Sequence, residues 1–161
     1  MATLPIKGIL QVTGYSHHHG LLGIEAANQS FKLGNLVSTN AAGAFVETGP
    51  GAPAAAAKNK LAARDGENRA TPTQKLPYVD PDEEMVFEIT AGGAVATAAL
   101  LAAGTEYGVL KDATTGFHYL NLADTTNKVF RLVTHNGQLV ANGGGVVGDT
   151  NVRVYAKLLA R

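Results

Sequence analysis

The chain has 161 residues, enough for one domain that buries roughly 70% of its unfolded surface. Thirteen basic residues balance thirteen acidic ones, which excludes the basic surface that binding to nucleic acid or to an anionic membrane requires. The sequence has no cysteine, which excludes thiol catalysis, thiolate metal sites and disulfides.

The first twenty residues predict an extended N-terminal arm, followed by a single β domain over residues 21–161. Pro5 and Gly8 oppose a helix in this segment. Its apolar side chains are spread widely: Leu4, Ile6, Ile9 and Val12. A segment of this kind buries little alone, so we expect it to dock on another molecule. The alternative is that it forms a first strand of the domain, with Ile6 and Ile9 in the core.

The run "GYSHHHG" (residues 14–20) raises the question of a metal site. On a strand, His17 and His19 project to one face, a spacing that suits zinc, but a third ligand would have to come from distant His118 or His135. Three histidines between glycines more often form a mobile polar segment. We therefore expect no metal and no other cofactor.

The next stretch predicts a hairpin followed by a short helix. Residues 30–49 contain two short runs on either side of "NAAG", which favours a turn between two strands. Residues 52–66, "APAAAAKNKLAARDG", have good helix formers and a terminal glycine, so local propensity predicts a short helix. A loop leading into a strand near "KLAARDG" is the alternative.

The segment "YVDPDEEMVFEIT" (residues 78–90) predicts a half-buried strand preceded by an acidic cluster. Met85, Phe87 and Ile89 alternate with polar residues, so they share one face of an extended chain. The acidic cluster could suggest a calcium-binding loop that begins at Asp80. Such a loop needs Gly at its sixth position, and this position is Met85, so a calcium loop is excluded. A paired-carboxylate hydrolase stays open. We favour a solvated bend at Pro81.

The second half predicts short strands separated by turns. The strands are expected near Val109 and over residues 117–122, 129–134, 138–141 and 152–159. Asn136-Gly137 is a strong hairpin signal, and a helical turn is possible over residues 97–104. The fold class is therefore all-β, a small antiparallel barrel or sandwich with long loops and at most one or two short helices.

Nothing in the sequence predicts an enzyme. Ser16, Ser30 and Ser38 are the only serines, and none lies in a Gly-x-Ser-x-Gly turn. The glycine-rich "NGGGVVGDT" lacks the Lys-Ser/Thr pair of a phosphate-binding loop. A flexible hairpin tip is the simpler interpretation.

The order of five segments resembles the capsid decoration (cement) proteins of tailed bacteriophages. These segments are "GNLVSTNAAGAFVETG", "KLAARDGEN", "YVDPDEEMVFEIT", "EYGVLKDATTGFHYLNL" and "GDTNVRVYAKLL". The resemblance covers residues 31–161 and consists of turns and strands in a shared order. The histidine run and the alanine-rich stretch depart from the family's pattern.

The resemblance implies a structural virion protein on the outer capsid surface, made in the cytoplasm of the host cell. It implies that the partners are the major capsid protein and the protein itself, as a homotrimer, and that it bridges neighbouring capsid subunits. The residues that we expect at a capsid or subunit interface lie in the N-terminal segment: Leu4, Ile6, Ile9, Val12, Tyr15, His17 and His19. Another virion component (tail or fibre) and a small ligand-binding β-barrel are the alternatives.

Overall fold

The computed structural model describes residues 1–13, 21–48, 59–81 and 84–159, and every regular element in these ranges is a strand. The strands are β1 (Leu10–Thr13), β2 (Leu21–Gly23), β3 (Leu36–Thr39), β4 (Phe45–Glu47), β5 (Lys60–Ala62), β6 (Leu76–Val79), β7 (Val86–Val95), β8 (Glu106–Lys111), β9 (His118–Asn121), β10 (Phe130–Leu132) and β11 (Thr150–Leu158). The predicted all-β fold class is confirmed.

The larger sheet closes into a barrel. Its strands run in the order β1-β7-β11-β10-β8-β9, and β9 returns to pair in parallel with β7 through Ala91 and Leu120. Closure brings β7 and β9 very close together at Gly93. A Cβ at this position would lie 2.4 Å from Asn121 Oδ1, and the φ of Gly93 is +80°. Glycine is therefore required at this bend. β1 lies outside the closed ring, beside the first half of β7.

The smaller sheet has the order β2-β6-β5-β3-β4. A parallel bridge between Glu25 and Phe45 joins the chain just after β2 to β4, so the sheet nearly closes on itself. It encloses a small apolar cluster in which the rings of Phe45 and Tyr78 lie 4.7 Å apart.

The main core is shared by both sheets. Alternate residues of β7 and β11 point into the barrel, and Leu36 and Leu61 of the smaller sheet belong to the same buried cluster. Ile9, from the N-terminal segment, also belongs to it, with 5% of its surface exposed. The two sheets and the N-terminal segment are therefore packed around one core.

Several local predictions are confirmed. Met85, Phe87 and Ile89 are all fully buried on the inner face of the segment that contains β7. β3 and β4 form the hairpin predicted around "NAAG". Asn136 and Gly137 both have positive φ (50° and 75°) between the bridged residues His135 and Gln138. These are the dihedral signs that a type I′ hairpin turn requires.

Two local predictions are wrong. The first is the helix predicted over residues 52–66. Its described part, residues 59–66, contains strand β5 and no helix, because pairing with β3 and β6 overrides the helical propensity of Leu61 and Ala62. Residues 52–58 of this prediction lie outside the described part. The second is the strand predicted over residues 138–141, which are hydrogen-bonded to β11 but form only two isolated bridges, Gln138 to His135 and Val140 to Val154.

The segment 97–104 makes turns and no helix. It contains a single helical hydrogen bond, from Leu101 N–H to the Thr97 carbonyl. Gly104 then adopts a positive φ of 90°, which ends the turn.

Candidate interaction surface at the N-terminal segment

Residues 2–8 lie across the outer face of the barrel, over β7 and β11. Leu4 N–H donates to the Thr150 carbonyl (3.0 Å), and Thr150 N–H donates to the Ala2 carbonyl (2.8 Å). Lys7 N–H donates to Thr90 Oγ1 (3.2 Å). Backbone hydrogen bonds from Ala2 and Val146 lower the pKa of the Asp149 carboxyl at the start of this path. The segment is thus attached to the barrel along most of its length.

Arg153 is the main attachment point. Its position in β11 alternates with Val152 and Val154, which face the core, so its side chain leaves the barrel on the outer face. Its Nη1 donates to the carbonyls of Lys7 (3.2 Å) and Gly8 (3.0 Å), and its Nε donates to Glu88 Oε1 (2.7 Å). The N-terminal segment covers this guanidinium so well that only 6% of the side chain is exposed.

The predicted interface residues divide into three groups. Ile9 is buried in the core, as the alternative interpretation of the segment expects. Leu4 and Ile6 are half-buried against the barrel, whereas Val12 on β1 is 36% exposed. The other three lie outside the described residues: Tyr15, His17 and His19.

The β1 strand presents an apolar side chain that sequence reasoning missed. Leu10 is 56% exposed and Val12 is 36% exposed, and a register shift between Gln11 and Thr13 interrupts the regular alternation of this strand. Among the described residues, β7 is the only strand that pairs with β1.

Further exposed apolar side chains lie elsewhere. On and just after β2 these are Leu22 (59% exposed) and Ile24 (69%). In the glycine-rich segment they are Val146 (65%) and Val147 (52%). Sequence reasoning assigned none of these four to a surface.

The described acids of the cluster at residues 80–84 each lie near a lysine. Asp80 bonds Lys60 Nζ at 2.7 Å, while Glu84 lies 4.0 Å from Lys157 Nζ with 89% of its side chain exposed. Asp82 and Glu83 lie outside the described residues. Within the described ranges, no group of three or more His, Asp or Glu side chains is placed to hold a metal ion.

The two histidines that were considered as distant zinc ligands have different surroundings. His135 packs edge-on against the Tyr155 ring, with 5.0 Å between centroids. His118 is buried between the two sheets: its Nδ1 accepts the Leu36 N–H (3.1 Å), and its Nε2 lies 3.4 Å from Glu47 Oε1.

Glu47 is the centre of a polar cluster between β4 and β8. Burial acts to raise the pKa of its carboxyl, but hydrogen bonds from His118, Lys111 and Asn35 outweigh burial and hold the pKa at about 2. Glu47 is therefore ionised at neutral pH. Sequence reasoning missed this cluster because its members come from four separate segments.

An open cleft of about 450 Å³ lies beside the barrel. Leu101, Leu139 and Val147 supply apolar surface, and Gln138 and Asn142 supply polar groups. Its volume is within the range of small-molecule sites.

Comparison of the chain with family models, with curated proteins and with solved structures finds no match. In the part of the chain that the structure describes, no helix has the length and apolar character of a membrane span.

Proposed function

We propose that the protein is a structural virion protein that binds the outer surface of an assembled phage capsid and bridges neighbouring major capsid subunits. The observation that carries the proposal is the apolar edge strand β1, with Leu10 and Val12 exposed. The order of turns and strands that resembles capsid decoration proteins supports it independently.

An edge strand with exposed apolar side chains favours association with another chain. A strand that adds to the edge of a sheet gains backbone hydrogen bonds, and the exposed side chains give the fit. Leu10 and Val12 would lose their exposed apolar surface in such a contact. We therefore infer that the strand β1 contacts the major capsid protein.

The role requires no catalytic group. A protein that binds the assembled shell, and not its separated subunits, stabilises the shell by mass action. A homotrimer would present three copies of β1, so a modest affinity for each copy would be multiplied. Light scattering on the purified protein, together with density maps of the virion, tests the trimer.

The test of capsid binding is cosedimentation with capsids assembled from the major capsid protein of the same phage. We expect the wild type to sediment with capsids, and the double variant Leu10→Glu, Val12→Glu to stay in the supernatant with an unchanged far-UV circular dichroism spectrum. The matched control is Val146→Glu, Val147→Glu, which adds the same charge to a different exposed apolar pair.

Two outcomes would contradict the proposal. One is a β1 variant that binds capsids as well as the wild type does, and the other is a wild-type protein that does not bind capsids. Binding to tails or fibres instead would favour another virion component.

A ligand-binding β-barrel is the second candidate, and the 450 Å³ cleft favours it. Leu139→Trp would fill this cleft while leaving β1 unchanged. If ligand binding is the function, this variant abolishes the thermal stabilisation that a bound small molecule gives to the wild type. Capsid binding is expected to be unaffected by it.

A further inference from the structure

The polar cluster around Glu47 brings an amide and an amine into contact with the same carboxylate. Asn35 Nδ2 donates to Glu47 Oε1 at 2.9 Å, and Lys111 Nζ donates to Glu47 Oε2 at 2.8 Å. One carboxylate therefore touches both an amide nitrogen and a primary amine. Asn35 has no exposed surface, so water has little access to its carbonyl carbon.

The Asn35 amide is also held in a fixed orientation. Its Oδ1 accepts the backbone N–H of His118 (2.9 Å), and its Nδ2 donates a second hydrogen bond to the Gly116 carbonyl (2.8 Å). A donor at the carbonyl oxygen stabilises the negative charge that develops there when a nucleophile attacks the carbon. The His118 ring cannot serve as the base, because Nδ1 already accepts the Leu36 N–H and Nε2 faces Glu47.

We propose that Asn35 and Lys111 form an intramolecular isopeptide bond, with Glu47 as the acid–base catalyst. Lys111 reacts as the neutral amine: Nζ attacks Asn35 Cγ, and the oxygen charge is held by the His118 N–H. Glu47 takes one proton from Nζ through Oε2 and delivers one to Nδ2 through Oε1. The Cγ–Nδ2 bond then breaks, and the nitrogen leaves as ammonia. The reaction conserves oxidation state and needs no other reagent.

Lys111 keeps contact with solvent, unlike Asn35. Its Nζ lies 2.8 Å from Glu47 Oε2, and 29% of its side chain is exposed. A proton that Nζ must lose before it attacks therefore has a route to solvent. Alkaline solution favours the neutral form of a primary amine in general, so the bond is tested at pH 9.

The bond would join the two sheets covalently, because Asn35 precedes β3 and Lys111 ends β8. Such a link constrains the unfolded chain as a disulfide does, in a protein that has no cysteine. The inference does not depend on the proposed capsid role.

Intact-mass spectrometry of the full chain tests the bond. After incubation at pH 9, we expect the wild type to lose about 17 Da, the mass of one ammonia, as a covalent change of its own side chains. Lys111→Arg keeps an ion pair with Glu47 but lacks the amine, and Glu47→Gln lacks the proton carrier, so both should retain full mass. Trypsin should no longer cleave the linked wild type after residue 111.

Two results would overturn the proposal. One is a wild type that keeps its full mass at pH 9. The other is a loss of about 17 Da that also occurs in Lys111→Arg, because that would place the lost ammonia at another asparagine or glutamine.

Discussion

The attachment of the N-terminal segment by Arg153 gives a stability prediction whose size follows from the contacts. The Arg153 side chain makes five hydrogen bonds, to the side chain and carbonyl of Glu88, to Thr90 Oγ1, and to the carbonyls of Lys7 and Gly8. Arg153→Met keeps the apolar part of the side chain and removes every one of them.

The expected cost is about 3 kcal/mol. Removing one partner of a buried ion pair typically costs 3–5 kcal/mol, since the other charge is left uncompensated. Glu88 keeps 26% of its side chain in contact with solvent, which places the cost near the lower end. Urea unfolding followed by far-UV circular dichroism would show a midpoint lowered by roughly 1.5 M for a slope near 2 kcal/mol/M.

A matched variant controls for the loss of an arginine. Arg131 pairs with Glu106 at 2.7 Å, but 53% of its side chain is exposed, so Arg131→Met should cost about 0.5 kcal/mol. Native-state hydrogen exchange should also show faster exchange of the Leu4 and Lys7 amides in Arg153→Met. Equal midpoints for the two variants would refute the inference that Arg153 holds this segment.

Three further predictions concern the core, the Glu47 cluster and the barrel closure. Ile9→Ala should lower the free energy of unfolding by about 2–4 kcal/mol, whereas Leu10→Ala should change it by less than about 0.5 kcal/mol. Equal effects of the two variants in urea unfolding would contradict the burial of Ile9 in the core. The pKa of the Glu47 carboxyl is lowered from 4.5 to about 2. Its contribution of about 3 kcal/mol to the free energy of unfolding is therefore present above pH 4.5 and is lost as the pH falls toward 2. Glu47→Gln should remove this part of the pH dependence, which unfolding at pH 3 and pH 6 would measure. Gly93→Ala should destabilise the protein more than Gly43→Ala. Both glycines have a positive φ, but only Gly93 faces a neighbouring atom. Equal melting temperatures of the two variants would argue against a tight closure of the barrel.

The elements that the sequence predicted well are those with a local cause. Asn136-Gly137 forms its turn because few other residue pairs accept two positive φ angles. Phe87 and Ile89 are buried because alternation alone fixes which side of a strand they occupy. Residues near Leu61 were misjudged because strand pairing with distant segments outweighs a few tenths of a kcal/mol of helical propensity.

The candidate sites depend on contacts that no local pattern encodes. Arg153 is in a strand where a charged residue normally points to solvent, and it is buried only because a segment about 145 positions earlier in sequence lies over it. Asn35 and His118 meet across 83 positions. Their neighbours in sequence carry no sign of these contacts, so the sequence could suggest Ile9 as an interface or core residue but could not identify the Glu47 cluster.

The barrel topology also determines when the chain can fold during synthesis. β7 needs β11 on one side, and residues 2–4 also need Thr150. Both partners leave the ribosome after all the other described strands. The edge of β7 that pairs with β11 therefore stays unpaired until β11 has emerged, so the barrel closes late, as expected when pairings are this distant in sequence. A chain stopped before Thr150 should remain bound to chaperones, whereas the full chain should be released.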